Sequence, residues 1–401
     1  MPVDVETGVN VLAAMLLVAA LLSMLAWRIN LPYAVALVLG GIVFEQVHLV
    51  DLPQLEPRIL LFVFLPPLLF DAAFRLDDVQ LRRSARPVLW LAIPGTIGTA
   101  AIVAAVLVWT IHLPLGEALL FGSIVSATDP VAVVGVFRNV DAPPRLAVLV
   151  EGESLINDGV AITLYTASVG LIASGTADVP AAVGLFVREV VGGVAIGAVL
   201  GVVFSRLTAL IDDHMIEMTL STALAYGSYL IAQSLGTSGA LACVAAGLIH
   251  GSYGRQVGMS ERTRRLLDDL WEYFGFVVNA VVFLLVGFSA NLGALAAEAA
   301  AVWASIAGVL LARVAVVMVP PELLRLTRRL RVVTSQRERA VLIWGGLRGA
   351  LTITLALALP QSFPDRQLMI AMAFGVVLFT LLVQGVTLSA VVRWTGVAQS
   401  K

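Results

Sequence analysis

Charge is scarce in this chain. Of its 401 residues only 13% are Asp, Glu, Lys or Arg, 59% are hydrophobic, and the mean hydropathy is +0.96. A soluble surface calls for roughly 25% charged residues, so a water-facing exterior is excluded and a polytopic helical membrane protein is implied. Cysteine is nearly absent as well. Cys243 is the single one, which excludes a disulfide within the chain, and its apolar run ALACVAAGL marks a packed core residue rather than a reactive thiol. Net charge is −2 and no basic run alternates with aromatics, which excludes nucleic acid as a partner. The opening residues MPVDVETGVN hold Asp4 and Glu6 but nothing basic, unlike the n-region of a secretory signal, so the first apolar run is expected to remain as a span. His48, His112, His214 and His250 show no metal-ligand spacing and read as interfacial or structural. There is no nucleophile elbow and no phosphate-cradling loop followed by Lys. Neither an enzyme nor a bound cofactor is called for.

What the chain does have is apolar length. Runs able to cross, or nearly cross, about 30 Å of hydrocarbon lie at roughly 8–27, 31–47, 57–74, 87–110, 115–137, 146–172, 180–205, 216–235, 237–251, 272–290, 296–319, 338–360 and 367–392. They predict an all-α protein of about 13 transmembrane helices with termini on opposite sides. All 25 Lys and Arg residues except Arg58, Arg188, Arg313, Arg348 and Arg366 fall in one set of alternate loops or at the C-terminus. By the positive-inside rule the N-terminus is outside and the C-terminus cytoplasmic. No low-complexity segment or soluble linker divides the chain, so residues 1–401 read as one transmembrane domain, with no soluble C-terminal domain expected. Its expected subdivision is an inverted repeat: residues 1–172 form the first half, 180–205 a connecting span, and 216–392 the second half.

Two stretches break the apolar pattern at matching positions of these halves. One is SATDPVAVVGVF at 126–137, interrupted at Thr128, Asp129 and Pro130; the other is WGGLRGALT, with Gly345, Gly346 and Gly349 around Arg348. Pro130 removes a backbone donor and clashes with the preceding turn, which frees carbonyls to face a cation. Interrupted segments at matching positions point to a binding site near mid-membrane. Beside them, VEGESLINDGVAITLY at 150–165 carries Glu151, Glu153 and Asp158. A carboxylate near the bilayer centre costs about 2.5–3.5 kcal/mol on insertion scales, so such residues face a wet cavity and carry function.

Helical spacing sorts these residues. Ser154 and Asp158 share one face, while Glu153 and Asn157 share the neighbouring one about 100° round. The first stripe can present oxygens to a cation and the second can tie the helix to its neighbours. Arg313 and Arg348 keep their charge and need partners; Glu153 is expected to pair with Arg348, since both sit beside predicted interruptions. Asp71, in FVFLPPLLFDAAF after Pro66 and Pro67, either lines a cytoplasmic funnel or is a helix-end carboxylate wetted by the interface. Thr128, Asp129, Ser154 and Asp158 together offer the mixed oxygen set that a hard monovalent cation requires. Desolvation and like charge disfavour ionisation of such a carboxylate, so it holds a proton or a cation but not both. That competition suffices for exchange.

FLPPLLFD, TDPVAV, EGESLINDG and GGLRGA resemble the motifs of the monovalent cation/proton antiporter family, specifically its NhaP-type Na⁺/H⁺ antiporters. The resemblance spans essentially the whole chain. It implies discontinuous helices crossing at the site, a six-helix core moving against a dimerisation part, and a homodimer in the inner membrane. It also implies residue roles: Thr128 and Asp129 at the unwound crossing, Asp158 as principal carboxylate, Ser154 as ligand, and Asn157 held by a Glu153–Arg348 bridge that Arg313 shares. Electrogenic relatives carry Asp at the position of Asn157, so the resemblance implies electroneutral exchange of one cation for one proton. Relatives commonly carry Glu at the position of Asp71; Asp is one methylene shorter, which leaves room for a bridging water. The expected cargo is Na⁺ or Li⁺, with the metal at Asp158, Ser154 and Thr128. Alternatives are K⁺/H⁺ exchange on the same plan, a passive cation channel, and an organic-anion symporter.

Overall fold

The computed structural model describes residues 5–29, 31–47, 59–174, 179–319 and 335–397. His48, Arg58, Arg325, Arg328, Arg329, Arg331 and Lys401, used above to judge metal spacing and orientation, lie outside the described residues.

Helices follow the apolar runs. Up to Ser174 the described residues form α1 (Val5–Arg28), α2 (Tyr33–Val47), α3 (Leu65–Arg75), α4 (Asp78–Ala92), α5 (Pro94–Ile111), α6 (Leu115–Ile124), α7 (Val131–Asn139) and α8 (Pro144–Ser174). After α9 (Val179–Thr208) come α10 (His214–Ser234), α11 (Gly239–Ile249), α12 (Glu261–Phe288), α13 (Ala299–Met318), α14 (Gln336–Trp344), α15 (Ala350–Leu357), α16 (Arg366–Phe379) and α17 (Val386–Thr395). No strand occurs among the described residues. Among the described residues six helical stretches, Asp78–Ile111, Pro144–Ile172, Pro180–Thr208, Glu261–Phe288, Ala299–Met318 and Arg366–Thr395, are long and apolar enough to cross a membrane.

Prolines set several boundaries. Pro66 and Pro67 occupy the start of α3, directly after a wide π turn at Leu60–Phe64; their missing N–H groups are orphans in a first turn anyway. Pro94 likewise opens α5. The expected span 87–110 is therefore two helices meeting at Ile93, the first of which starts at Asp78 and carries Arg82, Arg83 and Arg86 on its polar part.

Polar side chains cap the helix starts. Asp213 caps α10, Ser238 caps α11, Ser260 caps α12, and Ser335 with Glu338 forms a capping box on α14. Asp77 accepts the backbone N–H groups of Val79 and Gln80, each at 3.0 Å. Those bonds, the one from Gln80 foremost, hold its carboxyl below the usual carboxylate range. Asp77→Ala is expected to destabilise the protein by about 1 kcal/mol in thermal melts at neutral pH. A depressed pKa stabilises only above the unfolded value, so the difference should shrink as pH falls below about 4.

The interior is aliphatic and aromatic. Phe121, Phe283 and Phe374 anchor one cluster, and Phe70, Phe74 and Trp271 another. Cys243 lies fully buried in the second, as its apolar run predicts. His250 is also buried, against Phe70, Phe74 and the Ser205 hydroxyl, which fits a structural histidine.

Candidate functional site

Two helices come apart in mid-course and meet there. Residues 125–130 separate α6 from α7, and 345–349 separate α14 from α15. The backbone N–H of Asp129 donates to the Leu347 carbonyl at 2.9 Å, so each interruption supplies a partner for the other. This answers the accounting problem that a break in a helix creates inside an apolar chain, where an unpaired backbone group is penalised by several kcal/mol.

Arg348 closes the crossing from the other direction. Its guanidinium, 1% exposed, donates to the carbonyls of Ser126 and Ala127, each at 2.9 Å, just beyond the C-terminal end of α6. Its backbone N–H donates to the Thr380 hydroxyl at 3.1 Å. The positive charge thus offsets the partial negative charge at that helix end. Asp129 does the converse: its Oδ1 accepts the N–H of Val131 at 2.9 Å in the first turn of α7, and it lies against Gly349 at the start of α15. A Cβ at Gly349 would collide with the Asp129 side chain, so only glycine lets the α15 N-terminus approach that carboxylate.

The expected Glu153–Arg348 bridge is not what the side chains form. Both carboxylate oxygens of Glu153 are taken by Arg313, one by Nη1 and the other by Nη2 at 3.0 Å, while Arg313 Nε donates to the Leu342 carbonyl at 3.0 Å. Glu153 and Arg313 are 2% and 5% exposed. The reason is geometric: a flat bidentate fork suits a carboxylate better than a lone carbonyl does, and Gly346 leaves the space through which the Arg313 stem passes. Arg348, committed to carbonyls, is not needed there. Asn157 departs from the expected bridge too. Its Nδ2 donates to the Thr128 hydroxyl at 2.7 Å, and its Oδ1 accepts the Thr128 N–H at 3.4 Å. Ser154 Oγ donates to the Thr128 carbonyl. The Glu153 and Asn157 stripe of α8 therefore fastens this helix to α13 and to the break, as its spacing predicts.

The other stripe faces space. A cavity of about 130 Å³ is lined by Asp71, Thr128, Asp129, Ser154 and Asp158. Every residue expected to touch the cation borders it. Asp158 Oδ1 is buried and has no hydrogen-bond partner among the described residues, which leaves it open to a ligand. Glu151 lines the same cavity.

Asp71 lies on the cavity wall from α3 and is tied at 2.9 Å to Arg75, whose Nη1 reaches Glu272 of α12 at 3.0 Å. The sequence reading missed this link by assigning Arg75 to a loop. Since Arg75 ends α3, it is four residues along the same helical face, a spacing that favours such pairs. Thr380, Asn279 and Thr352 were also missed. The first holds the Arg348 backbone and the other two line the cavity; single polar residues inside apolar runs carry no spacing signal.

Comparison with known proteins bears on this arrangement. Residues 13–394 match the family described as sodium/hydrogen exchanger, transmembrane. The Na(+)/H(+) antiporter ApNhaP of Aphanothece halophytica is 38% identical over 397 residues, which cover 98% of this chain and 75% of that one. The Na(+)/H(+) antiporter NhaP of Pseudomonas aeruginosa is 34% identical over 411 residues, covering 96% of each. Among solved structures, the sodium proton antiporter MjNhaP1 from Methanocaldococcus jannaschii superposes with a TM-score of 0.81 at 18% identity, covering 97% of this chain and 98% of that one. The last likeness concerns the fold.

Proposed function

Since the chain belongs to the sodium/hydrogen exchanger family, we propose that it exchanges Na⁺ or Li⁺ for H⁺ across the membrane, one for one, at the cavity bordered by Asp129 and Asp158. The observation that carries this reading is the placement of an unpartnered carboxylate oxygen, on Asp158, in a cavity at the junction of two interrupted helices. The charge of Asp129 is offset by two helix N-termini. Asp158 has no such fixed donor on Oδ1, and is therefore the group that trades a proton for a cation. Ser154 and Thr128 add hydroxyl and carbonyl oxygen, Asp71 borders the same cavity from α3, and water completes the shell.

The exchange follows from exclusion. One carboxylate in a low-dielectric cavity cannot keep a proton and a cation together. If the protein turns its cavity from one side to the other only when Asp158 is occupied, each cation moved one way commits a proton to the other. The neutral Asn157, engaged by Thr128 on both its nitrogen and its oxygen, adds no second titrating group, which supports electroneutral turnover.

The wider architecture belongs to the same reading. About 13 spans in two inverted halves, 1–172 and 216–392 joined by 180–205, would put the two interruptions in corresponding helices of opposite orientation. The crossing hydrogen bond between Asp129 and Leu347 is what such a pair of helices needs. We place the protein in the inner membrane as a homodimer, N-terminus outside and C-terminus cytoplasmic. The exposed valines of α9, among them Val187, Val191 and Val199, suit lipid or a second copy.

Purified protein in liposomes with a pH-sensitive dye inside tests the proposal. Na⁺ and Li⁺ are expected to move protons, while choline is not. A response to K⁺ alone would make the protein a K⁺/H⁺ exchanger, current without proton movement would make it a channel, and a rate steeply dependent on membrane potential would overturn one-for-one exchange.

A further inference from the structure

Thr352 sits three residues into α15 and lines the cavity that holds Asp129 and Asp158. It is 0% exposed, and its hydroxyl has no hydrogen-bond partner among the described residues. That is unusual for a helical threonine, which normally returns its hydroxyl proton to the carbonyl four residues back. The neighbours show the ordinary behaviour. Thr354 donates to the Ala350 carbonyl at 2.9 Å, and Thr163 donates to Gly159, also at 2.9 Å. For Thr352 the corresponding carbonyl is that of Arg348, and the Thr380 hydroxyl is directed to it at 3.4 Å. The Thr352 hydroxyl is left over.

A buried hydroxyl without a partner has lost its hydrogen bonds to water and gained nothing in return. The penalty is avoided if something in the cavity uses the oxygen. The other cavity hydroxyls are already engaged in protein hydrogen bonds: Ser154 donates to the Thr128 carbonyl, and the Thr128 hydroxyl accepts from Asn157. Carboxylates reach the cavity from α3, α8 and the first interruption, but the second interrupted helix brings no charged side chain into it. That helix brings two hydroxyls, Thr352 and Thr354, to the cavity wall; Thr354 returns its proton to the Ala350 carbonyl, which leaves Thr352 as the unengaged polar group by which the helix can sense what the cavity contains.

We propose that the Thr352 hydroxyl contributes an oxygen to the shell of the bound alkali cation, directly or through one water, and so makes occupancy of the cavity felt by α15. This inference rests on the exchange reading above and adds to it a ligand on the second interrupted helix. It concerns an uncharged oxygen, so the carboxylates still fix the charge of the site, and Thr352 tunes affinity and the choice among alkali ions.

The test is Thr352→Val, which keeps shape and removes the oxygen, beside Thr352→Ser, which keeps the oxygen. Two readouts are followed: the Na⁺ dependence of proton movement in liposomes, and the rise in melting temperature that Na⁺ gives the purified protein. Thr352→Val is expected to raise half-saturating Na⁺ about tenfold, equivalent to the roughly 1.4 kcal/mol of one lost polar contact, with little change in maximal rate. It should weaken thermal protection by Na⁺ in parallel. Thr352→Ser is expected to stay within about twofold of the parent on both readouts. If Thr352→Val does not fold, Thr352→Ala carries the same expectation. The inference is overturned if the oxygen-free variant keeps the parental Na⁺ dependence in both readouts, or if only the maximal rate falls, as a structural role would have it. Failure of the parent protein to move protons with Na⁺ would instead overturn the exchange reading itself, and is told apart by that control.

Discussion

Asp158→Asn is expected to reduce Na⁺-driven proton movement to the level of protein-free liposomes while leaving the protein folded. Asn has the same shape, so packing around α8 is kept, but it can neither carry a proton at this site nor offset a cation's charge. Stability should move in the opposite direction from activity. A carboxylate near mid-membrane is disfavoured by about 2.5–3.5 kcal/mol on insertion scales, and Asp158 Oδ1 has no protein donor to compensate it. Removing that charge is therefore expected to leave the melting temperature at or above the parental value, and to abolish the further rise that Na⁺ brings. A variant that loses activity because it unfolds would show the reverse, so melting and transport measured on one preparation separate the two causes.

The second large effect is on stability. Glu153 and Arg313 form a bidentate pair with almost no solvent contact. Removing one partner from such a pair typically costs 3–5 kcal/mol, or roughly that order, because it strands the other charge. Glu153→Gln is accordingly expected to lower thermal stability sharply, with transport falling together with the folded fraction. Replacing both residues by apolar ones of similar volume should recover most of that loss, since the pair as a whole need not be net stabilising. The same experiment assigns the partner: recovery with Arg313→Met and none with Arg348→Met follows from the observed geometry. Wild-type stability of Glu153→Gln would contradict the pairing, and recovery through Arg348 would restore the assignment expected from sequence.

That assignment shows where sequence reading stopped. The interruptions were legible because Asp129–Pro130 and the glycines around Arg348 break the apolar runs. The two faces of α8 were legible because helical spacing fixes which residues share a stripe. Which arginine meets Glu153 was not. Arg313 and Arg348 lie on different helices, both need an anion, and the choice is made by the way α13 passes Gly346 while Arg348 turns to the carbonyls of Ser126 and Ala127. Backbone acceptors leave no trace in composition. The Asp71–Arg75 pair was within reach, since the two are four residues apart, but it depends on α3 continuing to Arg75 rather than ending at the last apolar residue. Thr352 was beyond reach, because one threonine in an apolar run looks the same whether its hydroxyl returns to the backbone or is left without a partner.

The central claim is that Na⁺ and H⁺ exclude one another at Asp158. Calorimetric titration of purified protein with Na⁺, repeated in two buffers of different ionisation enthalpy, counts the protons released as the cation binds. At a pH where the empty site holds its proton, about one proton should leave per Na⁺ bound, and Asp158→Asn should release none. Na⁺ binding with no proton released by the parent protein, or with the same release from Asp158→Asn, would contradict the account.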